Sequence, residues 1–286
     1  MKQLLILSGK GGTGKTTVAS AFIKLATVKA YADCDVDAPN LHLTMGELPE
    51  PLTRAYYGLD KAVIDTELCT GCDLCRVHCR FDAINVNDYY EVDFFACEGC
   101  AVCAEICPVE AIAMVPAVAG ELMLYKGDSV FSTARLKMGS GNSGLLVTDV
   151  KKQLTEAAPN VEYAIIDGSP GIGCPVIASL SGVDLVLIVA EPSLSGISDM
   201  ERIIKTARGF LVDVAICINK FDTNLANTAR IEEYAREKDL TLVGKIPYDQ
   251  KAVTAINEGK TIVEVDSLAG EAVKGVFDRT MELLLG

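Results

Sequence analysis

The chain has 286 residues, of which 50% are hydrophobic and 23% are charged, and its formal net charge is −13. These values are typical of a folded protein with one large domain, or one domain and a small insertion. The negative charge repels phosphate backbones and anionic lipid, and no run of about eighteen apolar residues occurs, so we expect no nucleic-acid partner and no membrane partner.

The elements in chain order are those of an α/β sheet with an interruption. Apolar residues 3–7 predict a buried strand, a glycine-rich loop follows, residues 15–26 have helical periodicity, and residues 28–32 predict a second strand. Between about residues 60 and 115 the cysteines concentrate and long apolar strands are absent. The predicted organisation is a first part of the α/β domain, an insert and a second part, over residues 1–59, 60–116 and 117–286.

The α/β pattern returns after the insert. Four apolar runs predict buried parallel strands at residues 163–166, 185–189, 214–218 and 242–246. Residues 139–144, GSGNSG, predict a flexible loop that joins the insert to the sheet. Residues 268–285 predict a last helix that packs on the core rather than on a membrane surface, because three acidic residues interrupt it.

The strongest signal is a duplicated cysteine motif with the spacing C-x2-C-x2-C-x3-C. Each cysteine of the second run lies 28 residues after its counterpart; the runs are Cys69, Cys72, Cys75 and Cys79, then Cys97, Cys100, Cys103 and Cys107. No secretory signal is recognisable, which predicts a cytoplasmic location. In reducing cytosol the eleven cysteines are expected to bind metal rather than form disulfides. Three closely spaced thiolates can occupy three corners of one iron–sulfur cube, while the fourth points toward the other site.

Over about fifty residues the insert resembles the two-cluster bacterial ferredoxins, with all eight cysteines present. The resemblance implies two 4Fe-4S clusters, one bound by Cys69, Cys72, Cys75 and Cys107 and the other by Cys97, Cys100, Cys103 and Cys79. Arg80 stands where the family usually has proline, and its charge could raise the potential of the adjacent cluster. Structural zinc is the alternative metal, because CxxC pairs also bind zinc.

A phosphate-binding loop occupies residues 8–17, SGKGGTGKTT, and matches the pattern G-x4-G-K-[ST]. Its glycines let backbone N–H groups point at phosphate oxygens, and the helix that follows adds its dipole. Lys15 is expected to reach the β- and γ-phosphates of ATP, and Thr16 to hold Mg²⁺. The expected nucleotide-binding residues of the loop are Gly11, Gly12, Thr13, Gly14, Lys15, Thr16 and Thr17.

The early lysine, Lys10, makes this loop resemble the deviant phosphate loop of the MinD, ParA, Mrp, ArsA and nitrogenase iron protein class. The resemblance covers the chain outside the insert. It implies Mg²⁺-dependent ATP hydrolysis by a homodimer, or by a heterodimer with a paralogue. In that class the early lysine crosses to the partner's nucleotide and stabilises charge on the transferred phosphoryl group. An ordinary solvated lysine is the alternative for Lys10.

Acidic segments are expected to complete the site. By the same resemblance, Asp35 positions or activates water and Asp33 supports Mg²⁺, because both lie in the class's D-x-D segment. Asp37 is a further candidate, or else a helix N-cap. A later buried strand ends in Asp167, on the Mg²⁺ side, and Gly171 resembles the switch II glycine that senses the γ-phosphate.

Three further positions resemble the class's base-contacting residues, namely Asn219, Pro247 and Asp249. Cys174 lies at the offset from Asp167 at which the nitrogenase iron protein has a cluster-ligating cysteine. The second cysteine that such a bridging cluster needs is missing, so a metal role for Cys174 stays open.

The predicted fold is therefore α/β, a mostly parallel P-loop NTPase sheet with an inserted α+β ferredoxin domain, and three functions are open. The protein could couple ATP to electron transfer to an unknown redox partner, insert metal clusters into client proteins, or act as a positioning ATPase with structural clusters. Clusters with four cysteine ligands each favour electron transfer, because a cluster that is passed to a client protein must be held at a labile site. The acidic net charge counts against a positioning ATPase.

Overall fold

The computed structural model describes residues 1–286. The strands are β1 (Lys2–Leu7), β2 (Ala30–Asp33), β3 (Leu52–Tyr57), β4 (Lys61–Ile64), β5 (Ile84–Val86), β6 (Tyr90–Val92), β7 (Ile112–Val115), β8 (Val118–Lys126), β9 (Val130–Leu136), β10 (Tyr163–Asp167), β11 (Leu185–Ala190), β12 (Asp213–Asn219) and β13 (Thr241–Ile246). The helices are α1 (Lys15–Ala26), α2 (Leu74–His78), α3 (Val102–Glu105), α4 (Ser143–Ala157), α5 (Cys174–Leu180), α6 (Leu194–Gly209), α7 (Leu225–Glu237), α8 (Gln250–Asn257) and α9 (Leu268–Leu285).

One nine-stranded sheet runs through the molecule in the order β13-β12-β11-β1-β10-β2-β9-β8-β3. The strands from β13 to β9 are parallel, whereas β8 is antiparallel to both of its neighbours. Helices cover both faces of the parallel part, so β11 is apolar and buried along its whole length and its neighbour β1 is so from Leu4 to Leu7. The prediction of a mostly parallel α/β sheet is confirmed.

Two apolar cores lie on opposite faces of the sheet, because successive side chains of a strand point to opposite sides. In β1, Leu5 and Leu7 belong to one core, and Leu4 and Ile6 belong to the other. Helix α9 packs on the second core, where the ring of its Phe277 meets Phe22 of α1 edge to face at 5.2 Å. The prediction of a core-packed last helix is therefore confirmed. The structure contains no helix that is long and apolar enough to span a membrane.

The strand order brings the functional segments to one edge of the sheet. Strand β10 lies between β1 and β2, and in the register Asp167 pairs with Ile6 on one side and with Asp33 on the other. The carboxyl ends of these three parallel strands therefore meet. Ligand sites of open α/β sheets lie at this edge.

The cysteine-rich insert, residues 60–116, lies outside the main sheet. It contains two small antiparallel sheets, β4-β7 and β5-β6, and its own apolar core around Ala62, Ile84 and Ile112. The chain leaves the main sheet from its edge strand β3 and returns through β8, where Val118 pairs with Tyr57. The two ends of the insert are therefore adjacent.

The two halves of the insert repeat their backbone contacts. In the first cysteine loop (residues 65–72), the Asp65 carboxylate accepts from two backbone N–H groups and its carbonyl accepts from the N–H of Cys69. In the second cysteine loop (residues 93–100), Asp93 and Cys97 repeat this pattern. The sequence duplication is thus also a structural duplication.

Two expectations about the connections are wrong. Residues 139–144 join β9 to α4 instead of joining the insert to the sheet, because β8 and β9 follow the insert and add to the main sheet. The strand predicted at residues 28–32 starts two residues too early. Thr27 closes α1 in a left-handed conformation, and β2 begins only at Ala30. Strands β3, β8 and β9 were not expected, because their composition is mixed and β3 is largely exposed.

Candidate functional site

The phosphate loop lies between β1 and α1, and its glycines are required by the backbone. Gly14 has a φ of +91°, and a Cβ atom there would collide with the side-chain amide of Asn219. Gly12 also has a positive φ, of +80°. Helix α1 begins with no side-chain cap. Its first backbone N–H groups are therefore oriented to bind an anion, as the sequence predicts.

Lys15 and Asp167 form a buried ion pair at the base of this loop. Lys15 Nζ lies 2.5 Å from Asp167 Oδ1 and 3.3 Å from the hydroxyl of Thr16, and the Asp167 side chain is fully buried. The second carboxylate oxygen of Asp167, Oδ2, is buried without a hydrogen-bond partner. A buried carboxylate oxygen of this kind is costly unless it binds a cation or water. These residues therefore fit Mg²⁺, with Thr16 and Asp167 on the metal's side.

Asp33 and Asp35 have different surroundings. The Asp33 carboxylate accepts hydrogen bonds from the backbone N–H groups of Asp35, Asn40 and Leu41, each at 3.0 Å. It thus holds the segment after β2 in place, and the predicted support of Mg²⁺ by Asp33 stays a prediction. Burial, followed by the negative charge of Asp167, raises the pKa of Asp33 to about 7.

Asp35 lines the nucleotide cleft itself. Burial raises the pKa of its carboxyl group, an effect that nearby Lys15 opposes. Asp37 is exposed, and the alternative of a helix N-cap is wrong for it, because the next helical turn begins at Leu41 with Asn40 as its N-cap. Of the predicted aspartates in this segment, Asp35 is therefore the one placed to contact water beside a bound nucleotide.

Lys10 lies on the rim of the loop, with its side chain about one-third exposed. Its ammonium group is held within the same chain, at 3.2 Å from the hydroxyl of Ser193, 3.3 Å from that of Ser195 and 3.8 Å from the carboxylate of Glu191. If Lys10 is to reach the nucleotide of a partner subunit, these exposed contacts must break. Each contact of this kind is weak.

A cleft of about 420 Å³ extends from the phosphate loop to α8. Asn219, Pro247 and Asp249 all line it, as the sequence predicts. The Asn219 amide, however, donates to the Thr13 carbonyl at 2.7 Å and so braces the phosphate loop. The Asp249 carboxylate caps α8 by accepting from the N–H of Lys251. Contact of these side chains with the base stays a prediction.

Other lining residues were not foreseen. They include Lys220, whose ammonium donates to the Gly12 carbonyl at 2.8 Å, and an apolar wall formed by Val253, Ile256 and Ile262. The amphipathic pattern of residues 250–257 was the available signal for this wall. An apolar wall of this size is suited to a planar base.

The segment after Asp167 is fastened to both neighbouring loops. The N–H of Gly171 donates to the Ser8 carbonyl at 3.0 Å, and Gly171 has a φ of +94°. The hydroxyl of Ser169 donates to the Cys34 carbonyl at 2.5 Å. Gly171 must therefore leave Ser8 before it can donate to a γ-phosphate. Cys34 is fully buried, which raises the pKa of its thiol to about 12.

The cysteines of the insert are all free thiols. One cavity is lined by Cys69, Cys72, Cys75 and Cys107, whereas Cys79, the fourth cysteine of the first run, does not line it. The two fourth cysteines have matching surroundings, because Cys79 Sγ accepts from the Ala83 N–H at 3.4 Å and Cys107 Sγ accepts from the Ala111 N–H at 3.3 Å.

No group of three or more His, Cys, Asp or Glu side chains stands close enough to hold a single metal ion. A zinc ion needs its thiolates at about 2.3 Å from one point. The thiolates that hold a cubane bind different irons, so they surround a cavity rather than one point. Cys174, exposed at the start of α5, and Cys217, fully buried in β12, lie outside the two cysteine runs.

The sheet, the phosphate loop and the acidic strand ends together define a P-loop nucleotide-binding protein. Residues 4–262 match the family model described as the CobQ/CobB/MinD/ParA nucleotide binding domain. The chain therefore belongs to this family of MinD- and ParA-type P-loop ATPases.

Similar sequences cover nearly the whole chain. An uncharacterized protein of Methanocaldococcus jannaschii is 30% identical over 287 residues, which is 99% of this chain and 97% of that protein. A second uncharacterized protein of the same organism is 26% identical over 94% of this chain and 95% of its own length, so that organism has paralogues of this type. The septum site-determining protein MinD of Neisseria meningitidis is 23% identical over 98% of this chain and 91% of its own length.

Similar solved structures share the fold. MinD of Pyrococcus horikoshii, in complex with Mg-ADP, superposes with a TM-score of 0.60 at 16% identity, covering 99% of this chain and 96% of that chain. The Cyanothece McdA(D38A)–ATP complex superposes with a TM-score of 0.57 at 19% identity, with the same coverage.

Replacing Lys10 with alanine tests its predicted role. ATP binding should persist, because the phosphate loop and Lys15 remain, whereas the hydrolysis rate should fall by about 10³-fold or more if Lys10 stabilises the transferred phosphoryl group. The measurements are fluorescent-nucleotide binding and phosphate release. Lys24→Ala is the control, since Lys24 pairs with Glu264 at the surface and should leave both quantities unchanged. Normal hydrolysis by Lys10→Ala would show that the lysine is only a rim contact.

Proposed function

We propose that this protein is a Mg²⁺-dependent, dimeric ATPase switch whose nucleotide state is transmitted to the cysteine-rich insert. In this proposal the insert carries two 4Fe-4S clusters, and the protein passes electrons to a redox partner. Its cofactors are ATP, Mg²⁺ and the two clusters, and the dimer is formed by two copies or by a copy and a paralogue. The observation that carries the proposal is a continuous set of contacts from the second cysteine loop to switch II.

The contacts begin where the second cysteine loop touches the segment before α4. A Cβ atom added to Gly139 would lie 3.3 Å from the ring of Phe95. A Cβ atom added to Gly141 would lie 2.9 Å from the carboxylate of Glu98. The second cysteine loop therefore contacts the segment before α4 through these two side chains.

The contacts continue from α4 to α5, the helix that follows switch II. Gly144, in the first turn of α4, lies so close to Cys174 that a Cβ atom would stand 3.3 Å from the Cys174 Cβ. Farther along α4, the ammonium of Lys151 donates to the carbonyls of Ser179 and Ser181 at the end of α5, at 2.7 and 2.5 Å. Burial lowers the pKa of Lys151 to about 8. The two helices are thus joined at both ends.

One of the two proposed cluster sites coincides with a cavity of the insert. The cavity lined by Cys69, Cys72, Cys75 and Cys107 contains the ligand set that the ferredoxin resemblance implies, including the fourth cysteine from the other run. Backbone N–H groups already donate to Cys79 Sγ and Cys107 Sγ, and such donors stabilise thiolates bound to iron. A 4Fe-4S cluster supplies one-electron transfer when bound.

A second candidate function has support from the relatives. The characterised proteins among them are named for septum-site determination, and they back a positioning ATPase with structural clusters better than they back electron transfer. Insertion of clusters into client proteins is the third possibility. The contacts between the second cysteine loop and the segment before α4 favour a coupled insert over inert clusters. Electron transfer is therefore our main proposal for the output of the switch.

Iron content tests the clusters. Protein purified without oxygen should contain about eight iron atoms per chain and show absorption near 400 nm that dithionite bleaches. Cys75→Ser should lose about four of them, because Cys75 lies in only one of the two ligand sets. Cys174→Ser is the matched control and should keep all eight, since Cys174 lies outside both cysteine runs. Zinc in place of iron would contradict the proposal.

Replacing Asp35 with asparagine tests the ATP-dependent dimer. The amide keeps the shape of the side chain but orients water poorly, so hydrolysis should slow by about 10²–10⁴-fold and the ATP-bound dimer should accumulate. Gel filtration with Mg-ATP should show this dimer, whereas the unmodified protein should show it only briefly. Asp128→Asn is the control and should leave hydrolysis unchanged, because Asp128 is exposed in the turn between β8 and β9. A monomeric Asp35→Asn protein in saturating ATP would contradict the dimeric switch.

A further inference from the structure

Lys61 is a buried cation without an acidic partner. It is the first residue of β4, with 9% of its surface exposed, and it takes part in none of the ion pairs of the structure. Its only hydrogen-bond acceptor is the backbone carbonyl of Cys97. Burying an ammonium group is unfavourable unless a negative charge compensates it. An anionic group beside Cys97 would provide that compensation.

The segment that contains Lys61 also clamps the second cysteine loop. A Cβ atom on Gly99 would collide with the carbonyl oxygen of Asp60 and stand 2.9 Å from the Cβ of Leu59. The corresponding glycine of the first cysteine loop, Gly71, has only the ring of Tyr90 nearby, at 3.8 Å. The second loop is therefore held by the chain that enters the insert, and the first loop is not.

The first half of the insert has no counterpart to Lys61. The arginines of its cysteine run are exposed: Arg76 is paired with Asp73 through two hydrogen bonds of 2.7 and 2.5 Å, and Arg80 follows Cys79. No side chain donates to the carbonyl of Cys69, the counterpart of Cys97. The two halves thus differ, because only the second cysteine loop is contacted by a buried cation without an acidic partner.

We propose that Lys61 is a positioning residue for the cluster bound by Cys97, Cys100, Cys103 and Cys79, and that its charge gives this cluster a higher reduction potential than the other. The inference rests on the clusters of the proposed function. A positive charge near a thiolate-ligated cluster stabilises the reduced form, which carries one more negative charge. The cluster nearer to α4 and switch II therefore holds the electron preferentially.

Redox titration of the iron-loaded full chain, followed by electron paramagnetic resonance, tests the inference. In Lys61→Met the equilibrium constant for reducing one cluster should fall at least tenfold, which for a one-electron couple is about 59 mV. Lys61→Arg should restore the original midpoint, because it keeps the charge and the donor. Lys126→Met, which removes an exposed lysine outside the insert, should change neither midpoint. A Lys61→Met protein with full iron content and unchanged midpoints would overturn the proposal.

Two backgrounds identify the cluster that responds. In Cys75→Ser, which should keep only the cluster beside Lys61, the change from lysine to methionine should give the full shift. In Cys103→Ser, which should keep only the other cluster, the shift should be much smaller. Equal shifts in both backgrounds would overturn the assignment.

If Lys61→Met fails to take up iron, Lys61→Gln is the alternative variant, because it keeps a donor for the Cys97 carbonyl but removes the charge. The midpoint of the adjacent cluster in Lys61→Gln should fall as predicted for Lys61→Met. An unchanged midpoint overturns the electrostatic role of Lys61. An unmodified protein that binds no iron would overturn the proposed function and this inference with it. Two clusters that ignore Lys61 would overturn the inference alone.

Discussion

The buried ion pair between Lys15 and Asp167 is the interaction on which the site depends. It joins the phosphate loop to the end of β10, and burial makes both charges costly without each other. Asp167 Oδ2 is buried without a hydrogen-bond partner. In the proposed function, a bound phosphate group would compete with Asp167 for Lys15, and the carboxylate so released would help to hold Mg²⁺. The contacts of Ser169 and Gly171 would then carry the change to the two adjacent loops.

The position of the insert determines what such a change can reach. The insert leaves the edge of the sheet far from the phosphate loop, yet its second cysteine loop packs on the segment before α4, and α4 is joined to α5. A movement of switch II thus has a packed route to one of the two cysteine loops.

Local patterns predicted the parts of the structure that depend on local chemistry. The phosphate loop, Asp167 at the end of an apolar strand and the duplicated cysteine runs follow from spacing and periodicity, and the structure places them as expected along the chain. The edge strand β3 and its neighbour β8 did not follow, because strands of mixed composition become recognisable only through their partners. The backbone contacts of Asp33, the buried Lys151 and the unpaired Lys61 likewise depend on tertiary neighbours that one sequence does not reveal.

The most direct test of the coupling compares the clusters with ATP and with ADP bound. Asp35→Asn protein should be titrated at fixed potentials under both conditions, with the cluster signals followed by electron paramagnetic resonance. A coupling of about 1.4 kcal/mol would separate the midpoints by about 59 mV for a one-electron couple, and reduction would change nucleotide affinity by the same factor of about ten. Our account predicts such a separation, larger for the cluster of Cys97, Cys100, Cys103 and Cys79. Identical midpoints and identical rates of chemical reduction in the two nucleotide states would contradict it.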